Sequence, residues 1–276
     1  MRAFFALVKK GLLDSRWTLA LSSAALFGLS WLFVFAASRM EKAIVLAMSQ
    51  GQSPGGMRML RGLGGASMDF SSAAIEMAFW NHPFVILILA IWAIARGSAS
   101  VGGELERGSM DIVLSRPISR SSYLAAQVFT AIIGLIVLVS AMVAGNLVGS
   151  RFNTLVAAPS VVTLMKPATN LAAMGLLMFA YTCLFSTLDS VRWRPNLLGS
   201  VITLAGFIIN IVANIPTLED WKWIEKFSIF KAYNPVEIVV KGETFAFNTG
   251  ILTAISVACL VVGFLWFSQR DLPTPG

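Results

Sequence analysis

The charged residues best suited to chemistry lie in one stretch between two apolar runs, residues 102–120, with the sequence GGELERGSMDIVLSRPISR. Glycine, serine and basic residues are also the constituents of a phosphate-binding loop. Such a loop requires the pattern G-x-x-x-x-G-K-[ST], because its lysine neutralises the phosphates that the backbone amides hold. The nearest match, residues 103–109, has no lysine. The sequence therefore predicts that this stretch does not hold ATP, and that any ATP-driven step depends on another polypeptide.

The chain offers few other candidates for catalysis or metal binding. Its single histidine, His82, precedes a proline at the edge of an apolar run, and Cys183 and Cys259 lie within apolar runs. A serine–histidine pair or a zinc site would need further partners. Six methionines in or near residues 38–81 could receive Cu(I), but without cysteine or histidine companions we favour apolar packing. We expect no catalytic residue, no metal site and no bound cofactor in this chain.

The composition places the chain in a membrane. Of its 276 residues, 57% are hydrophobic and 13% are charged, about half the charged share of a soluble domain. A helix needs roughly 20 apolar residues to cross a bilayer, and several runs have this length. We expect a single all-α membrane domain over residues 1–276, with six transmembrane helices near residues 17–37, 83–101, 122–147, 168–188, 196–215 and 250–268. Gly134, Gly145 and Gly149 are predicted to let helices pack closely.

The flanking segments predict the topology. Residues 1–16 place Phe4, Phe5, Val8 and Leu12 on one face, which is typical of an interfacial helix. With the N-terminus inside, short inner segments hold eleven of the 21 cations, whereas the outer segments hold ten over nearly twice the length. Because positive charge concentrates on the inner side, both termini are predicted to be cytoplasmic. The net charge of +7 is scattered, which favours contact with membrane lipids over nucleic acid.

The outer connection at residues 216–249 contains the aromatic segment LEDWKWIEKFSIFKAYNP. It puts Trp223, Phe227 and Phe230 at helical spacing beside several charged residues. This spacing predicts an amphipathic helix that lies in the outer interface of the membrane. An aromatic belt without a moving part would have the same composition, so the sequence leaves both interpretations open.

The charged stretch would form the first inner loop, between the second and third spans. Gly102 and Gly103 are expected to end the second span. Residues 104–114 then have the length of about three helical turns before Pro117 stops the helix. Residues 112–114 give this helix a small apolar patch. Charge around such a patch is typical of a surface that docks to a protein, because charge sets orientation and burial supplies affinity.

These residues resemble a segment of ABC-2 type transporter permeases that runs glycine, acid, acid, glycine, serine or threonine, acid, an aliphatic pair, serine, proline, serine and arginine. The matching positions are Gly103, Glu104, Glu106, Gly108, Ser109, Asp111, Val113, Leu114, Ser115, Pro117, Ser119 and Arg120. FSQRDL at residues 267–272 is similar to the ending of many such subunits, and YNPVEIVVKGE at residues 233–243 is similar to their segment before the last span. The chain is similar in particular to the permeases of nitrous-oxide reductase maturation transporters.

The resemblance implies a permease subunit of an ABC exporter in the bacterial plasma membrane. Two such subunits would pair, and each would bind a cytoplasmic ATP-binding subunit that holds ATP and Mg²⁺. The charged helix would then be a coupling helix, seated in a groove of the ATPase. By the same resemblance, the coupling residues would be Glu104, Glu106, Arg107, Gly108, Asp111, Ile112, Leu114, Arg116 and Pro117. Residues 218–235 would close the outer side, whereas the long loop at residues 38–81 departs from many of these subunits.

The spans themselves carry little information about a substrate. Asn210 and Asn214 share a face near the outer end of the fifth span, where they could line a translocation path or join packed helices. Only Arg96 falls inside a span, and it is near enough to the inner end to reach water. Because the spans carry almost no charge, a bound substrate would meet a mainly apolar surface. Such a surface would suit a lipid, an amphipathic peptide or a hydrophobic drug. Two other functions stay open: a membrane anchor that recruits a cytoplasmic complex without transport, and an intramembrane enzyme.

Overall fold

The computed structural model describes residues 2–49, 80–110, 118–153, 160–240 and 244–270, together with Met77 and Leu155. These residues form α-helices, two 3₁₀-helices and no strand. The α-helices are α1 (Arg2–Asp14), α2 (Arg16–Ser49), α3 (Pro83–Ala99), α4 (Gly102–Glu106), α5 (Arg120–Phe152), α6 (Val161–Leu188), α7 (Trp193–Ala213), α8 (Pro235–Val240) and α9 (Phe245–Gln269). The 3₁₀-helices are Pro216–Phe227 and Ile229–Ala232. The prediction of an all-α membrane protein is confirmed.

Within the described residues, five helices are long and apolar enough to cross a membrane. They are Arg16–Met40 in α2, Arg120–Phe152, Val161–Leu188, Trp193–Ala213 and Phe245–Gln269. α3 stands at the predicted second span but has only 17 residues. Its rise of about 25 Å is somewhat less than the usual thickness of the hydrocarbon core. α3 ends at Ala99 and α4 follows almost at once, so the charged α4 lies directly against the end of this span.

The N-terminal region contains two successive helices. The ring of Phe4 in α1 contacts that of Phe129 in α5, with 5.9 Å between the centroids, so the apolar face of α1 packs partly on the protein. The hydroxyl of Ser15 donates to the carbonyl of Gly11 at 2.8 Å, at the junction with α2. α2 then continues to Ser49, and the predicted outer loop at residues 38–81 therefore begins as helix.

α6 is the central helix of the bundle. In the most apolar 18-residue stretch of α6, 72% of the residues are buried, compared with 22% in the corresponding stretches of α2, α7 and α9. α6 packs against α3, α5 and α9, while α2 packs along α5. The outward faces of α2, α7 and α9 consequently carry most of the exposed apolar side chains of the spans.

Close approach of the helices depends on glycines in α5. A Cβ on Gly145 would lie 2.2 Å from the carbonyl oxygen of Phe27 in α2, and a Cβ on Gly134 would lie 2.2 Å from the ring of Trp92 in α3. A Cβ on Gly149 would come within 2.9 Å of α2. Any side chain at these positions would force the helices apart, so the packing role predicted for the three glycines is confirmed.

The outer segment differs from the amphipathic α-helix that its sequence predicts. It forms two 3₁₀-helices, of 12 and 4 residues, with three residues per turn, and they are separated at Ser228. The hydroxyl of Ser228 donates to the carbonyl of Gly206 in α7 at 2.7 Å. Trp223 and Phe227 are exposed, whereas Phe230 is buried, so the three aromatic side chains do not lie on one face. The 3₁₀ geometry and the bond at Ser228 turn Phe230 into the protein.

Two hydrogen bonds anchor the end of this outer segment. The hydroxyl of Tyr233, which is 2% exposed, donates to the carbonyl of Trp80 at 2.9 Å. Burial raises the pKa of Tyr233, so the phenol stays protonated and keeps this donor. The side-chain amide of Asn170 in α6 donates to the carbonyl of Ala232 at 3.1 Å. The segment is therefore attached to both the start of α3 and the central helix.

Candidate functional site

The short helix α4 is joined at its start to the central helix α6. The backbone N–H groups of Val101 and Gly102 donate to the hydroxyl of Ser186, at 3.2 and 2.8 Å. That hydroxyl in turn donates to the carbonyl of Ser98 in α3 at 3.0 Å. The first N–H groups of a helix have no partner within it, and Ser186 supplies one here. Gly102 and Gly103 are both buried, as a close crossing of backbones requires.

Glu104 joins α4 to the N-terminal helix α1. Its carboxylate accepts from the ammonium of Lys10 at 2.9 Å and from the hydroxyl of Ser109 at 2.6 Å. Burial would raise the pKa of Glu104, but the hydrogen bonds from Ser109 and Lys10, with the charge of Lys10, hold it below its ordinary value. The carboxylate is therefore ionised at neutral pH. Glu104 is 5% exposed, so the structure places it in an intramolecular contact and leaves it little surface for a partner.

Glu106 joins α4 to α7. One carboxylate oxygen accepts from the backbone N–H of Arg192, the residue before α7, at 2.9 Å. A carboxylate at a helix N-terminus is stabilising because the free N–H groups there carry partial positive charge. The guanidinium of Arg192 donates to the carbonyl of Ala95 in α3 at 3.3 Å. Glu106 remains exposed despite this bond, so it is available to a partner as well.

The charged stretch turns at Arg107 and Gly108. Gly108 has a φ of +67° and its N–H donates to the carbonyl of Leu105 at 3.0 Å. This left-handed conformation ends α4, because only glycine adopts it at little cost. The prediction of one continuous helix over residues 104–114 is therefore wrong at Gly108. Arg107 and Gly108 are both exposed.

The other residues predicted to couple to a partner are Asp111, Ile112, Leu114, Arg116 and Pro117, which lie outside the described residues. Their contacts with an ATPase stay a prediction.

Asn210 and Asn214 are described, and they lie at the opposite end of α7 from Arg192. The amide of Asn214, just beyond the end of α7, donates to the carbonyl of Asn210 at 2.8 Å. This bond satisfies a helix C-terminus, and a role in a translocation path stays a prediction as well.

Arg96 is a buried part of the site that the sequence did not predict. It was expected to reach water, but it is 9% exposed and its Nη2 donates to the side-chain carbonyl of Gln127 in α5 at 2.5 Å. The amide of Gln127 donates to the hydroxyl of Tyr123 at 2.9 Å. A Cβ on Gly11 would lie 2.5 Å from the same Nη2 atom, so α1 covers Arg96 at a distance that leaves no room for a side chain at residue 11 unless the guanidinium moves. The glycine at position 11, inside a predicted helix, was the available signal.

The end of α9 belongs to the same face. Nη1 of Arg270 donates to the carbonyls of Thr187 and Asp189, at 2.7 and 3.0 Å, and thereby satisfies the C-terminus of α6. The guanidinium of Arg120, at the start of α5, donates to the carbonyl of Arg270. The arginine of the FSQRDL ending therefore joins α5, α6 and α9 at the end of the bundle that also holds α4.

The residues with reactive side chains have structural contacts. Nδ1 of His82 accepts from the N–H of Phe84 at 3.3 Å and caps α3. The hydroxyl of Ser100 donates to the sulfur of Cys183 at 3.3 Å. Across the part of the chain that the structure describes, no group of three histidine, cysteine, aspartate or glutamate side chains could hold a metal ion.

Comparison with known proteins extends this description. A family model described as ABC-2 family transporter protein matches residues 10–272, from the middle of α1 to beyond the end of α9. The match is to the family as a whole and does not single out the permeases of nitrous-oxide reductase maturation. No curated protein and no solved structure matches the chain.

Proposed function

The chain belongs to the ABC-2 transporter family, and from this we propose that it is the permease subunit of an ABC exporter whose ATP is hydrolysed by a separate cytoplasmic subunit. It pairs with a second permease subunit to form the translocation path. ATP and Mg²⁺ belong to the partner, and this chain contributes binding and movement without catalysis.

The single observation that carries this proposal is the connectivity of α4. This helix of five residues is bonded to α1 through Lys10, to α6 through Ser186 and to α7 through Arg192. It also follows α3 directly along the chain. Because its bonds reach three helices besides α3, a displacement of α4 would be passed to all four. This is the property that a coupling element between an ATPase and a membrane domain needs.

The proposed topology has both termini in the cytoplasm of a bacterial cell, with the chain in the plasma membrane. α1, α4, the start of α7 and the end of α9 then share the inner face, and the outer segment at 216–240 lies on the opposite side. The inner face is where an ATP-binding subunit is accessible. The exposed residues Glu106, Arg107 and Gly108 begin the surface that docks to it.

A purification experiment tests the proposal. The tagged full-length chain is isolated from its native membranes in mild detergent, and the eluate is labelled with a photoreactive ATP analogue. We expect a labelled polypeptide other than the permease, and we expect Arg107→Glu to reduce its recovery severalfold. Arg151→Glu is the matched control. Arg151 is also an exposed cation, and it lies in the last turn of α5, far from α4. Labelling of the permease itself, or no labelled partner, would contradict the proposal.

A further inference from the structure

A cavity of about 300 Å³ lies at the corner between α1 and α2, beside α3 and α4. We name it the Arg96 cavity. Its charged lining residues are Asp14, Arg96, Glu104, Arg107 and Arg192. Arg107 lines the cavity and also belongs to the proposed docking surface, whereas Asp14 and Arg96 take no part in the proposed coupling contacts, so the interior of the cavity calls for a separate explanation.

The lining has an excess of positive charge. Glu104 is paired with Lys10 at 2.9 Å, so its carboxylate is already neutralised by a cation from outside the cavity. Among the described residues that line the cavity, Asp14 then remains as the one unpaired acid opposite the guanidinium groups of Arg96, Arg107 and Arg192. Such a cavity favours an anionic ligand, because the guanidinium charges repel one another unless an anion lies between them.

Arg96 supplies an independent indication. The residue is only 9% exposed, and its Nε–H has no hydrogen-bond partner in the protein. Buried polar groups in folded proteins are nearly always paired, and a buried arginine is retained when an opposite charge offsets it. Gln127 accepts from Nη2 but carries no charge. The charges of Asp14 and Glu104 act on Arg96 without a hydrogen bond to it, so an anion in the cavity would supply the directly bonded charged partner that Arg96 lacks among the described residues.

The shape and surroundings of the cavity indicate the chemistry of this anion. Guanidinium groups match the oxygens of a phosphate, and the hydroxyls of Ser15 and Thr18 also line the cavity. Trp92, Ala95 and Ala99 add apolar surface to the lining, which suits a glycerol backbone better than a fully hydrated ion. Beside the cavity, Leu13 and Trp17 are 50% and 71% exposed, where acyl chains could lie against them.

From these observations we propose that the Arg96 cavity binds a phosphate group, and that this phosphate belongs to an anionic phospholipid of the inner leaflet. Basic pockets between helices on the cytoplasmic side of membrane proteins are suited to such head groups. The lipid would lie between α1 and α4 and complete the contact that Lys10 and Glu104 begin. The assignment to the inner leaflet uses the proposed topology, whereas the phosphate site itself does not.

Thermal unfolding of the purified full-length chain tests this proposal without any ATPase. Melting is followed in neutral detergent with added phosphatidylglycerol, phosphatidylcholine or inorganic phosphate. We expect phosphatidylglycerol to raise the Tm by several degrees and phosphatidylcholine to have little effect, because a ligand that binds only the folded state stabilises it. Arg107→Gln and Arg192→Gln should each weaken lipid binding about tenfold, as expected for loss of one charge-assisted contact.

Arg194→Gln is the matched control. Arg194 lies two residues from Arg192, is exposed, and does not line the cavity. It should keep the full effect of phosphatidylglycerol on the Tm.

Equal shifts in Tm with the two lipids, or an equal loss of the phosphatidylglycerol effect in all three variants, would overturn the proposal. A shift of the same size with inorganic phosphate alone would support a phosphate site and overturn its assignment to a lipid. Because no partner subunit is present, failure here would not bear on the proposed permease function.

Discussion

Lys10 and Glu104 are 94 positions apart in the sequence, yet they form an ion pair of 2.9 Å that joins the N-terminal helix to the charged helix after the second span. The side chain of Glu104 is 6% exposed, whereas that of Lys10 is 44% exposed. The pair therefore attaches a helix at the membrane surface to the element that we propose as the coupling site.

Exchange of the two charges tests this link. Glu104→Lys alone should lower the free energy of unfolding by about 1–2 kcal/mol, because it leaves two cations together at a buried position, with some relief because Lys10 reaches water. Lys10→Glu alone should also destabilise the protein. The double exchange should recover part of the loss. A double-mutant cycle by thermal unfolding measures this recovery, and a double variant no more stable than the singles would refute the pairing.

The same carboxylate predicts a dependence of stability on pH. The pKa of Glu104 in the folded protein lies below its ordinary value of 4.5. A depressed carboxylate pKa contributes stability that is fully present above 4.5 and is lost as the pH falls below it through the folded pKa. The difference in Tm between wild type and Glu104→Gln should therefore shrink on acidification from neutral pH to below 4.5. A difference that stays constant would contradict the assignment.

Gly108 should be sensitive to its backbone conformation alone. Its φ of +67° is unfavourable for residues with a Cβ, while no atom of the described residues other than its chain neighbours lies within 4 Å of the position that a Cβ would take. Gly108→Ala should cost about 1 kcal/mol of stability, and Gly108→Asn should cost less, because asparagine tolerates the left-handed region. Unfolding of the two variants gives the comparison. If asparagine were as damaging as alanine, the turn at Gly108 would be in doubt.

Gly145→Ala should separate α2 from α5. Its Cβ would approach the carbonyl oxygen of Phe27 to 2.2 Å, and a backbone atom cannot rotate away as a side chain can. We expect a loss of about 1–3 kcal/mol, the usual range for overpacking. Gly28→Ala is the matched control, since it lies on α2 next to Phe27 and a Cβ there has no neighbour within 4 Å. Equal Tm values for the two variants would show that the helices adjust freely.

The residues around α4 show why part of the site could be predicted from the sequence and part could not. The charged stretch could be identified because acids and arginines are conspicuous between apolar runs. The partners of Glu104 and Glu106 could not, because Lys10 and Arg192 approach them only when α1 and α7 pack beside α4. The burial of Arg96 likewise involves a different helix, because Gly11 of α1 packs against its guanidinium.

The spans follow from the order of residues alone, because a bilayer requires long apolar runs whose backbone groups bond within the helix. The absence of a phosphate-binding lysine in the charged stretch is likewise a property of the chain itself. Three other features are decided by the tertiary structure. They are the burial of Glu104, the end of α4 and the inward orientation of Phe230. These three features depend on contacts between residues distant in sequence and on backbone geometry. A periodic pattern of apolar residues predicts neither.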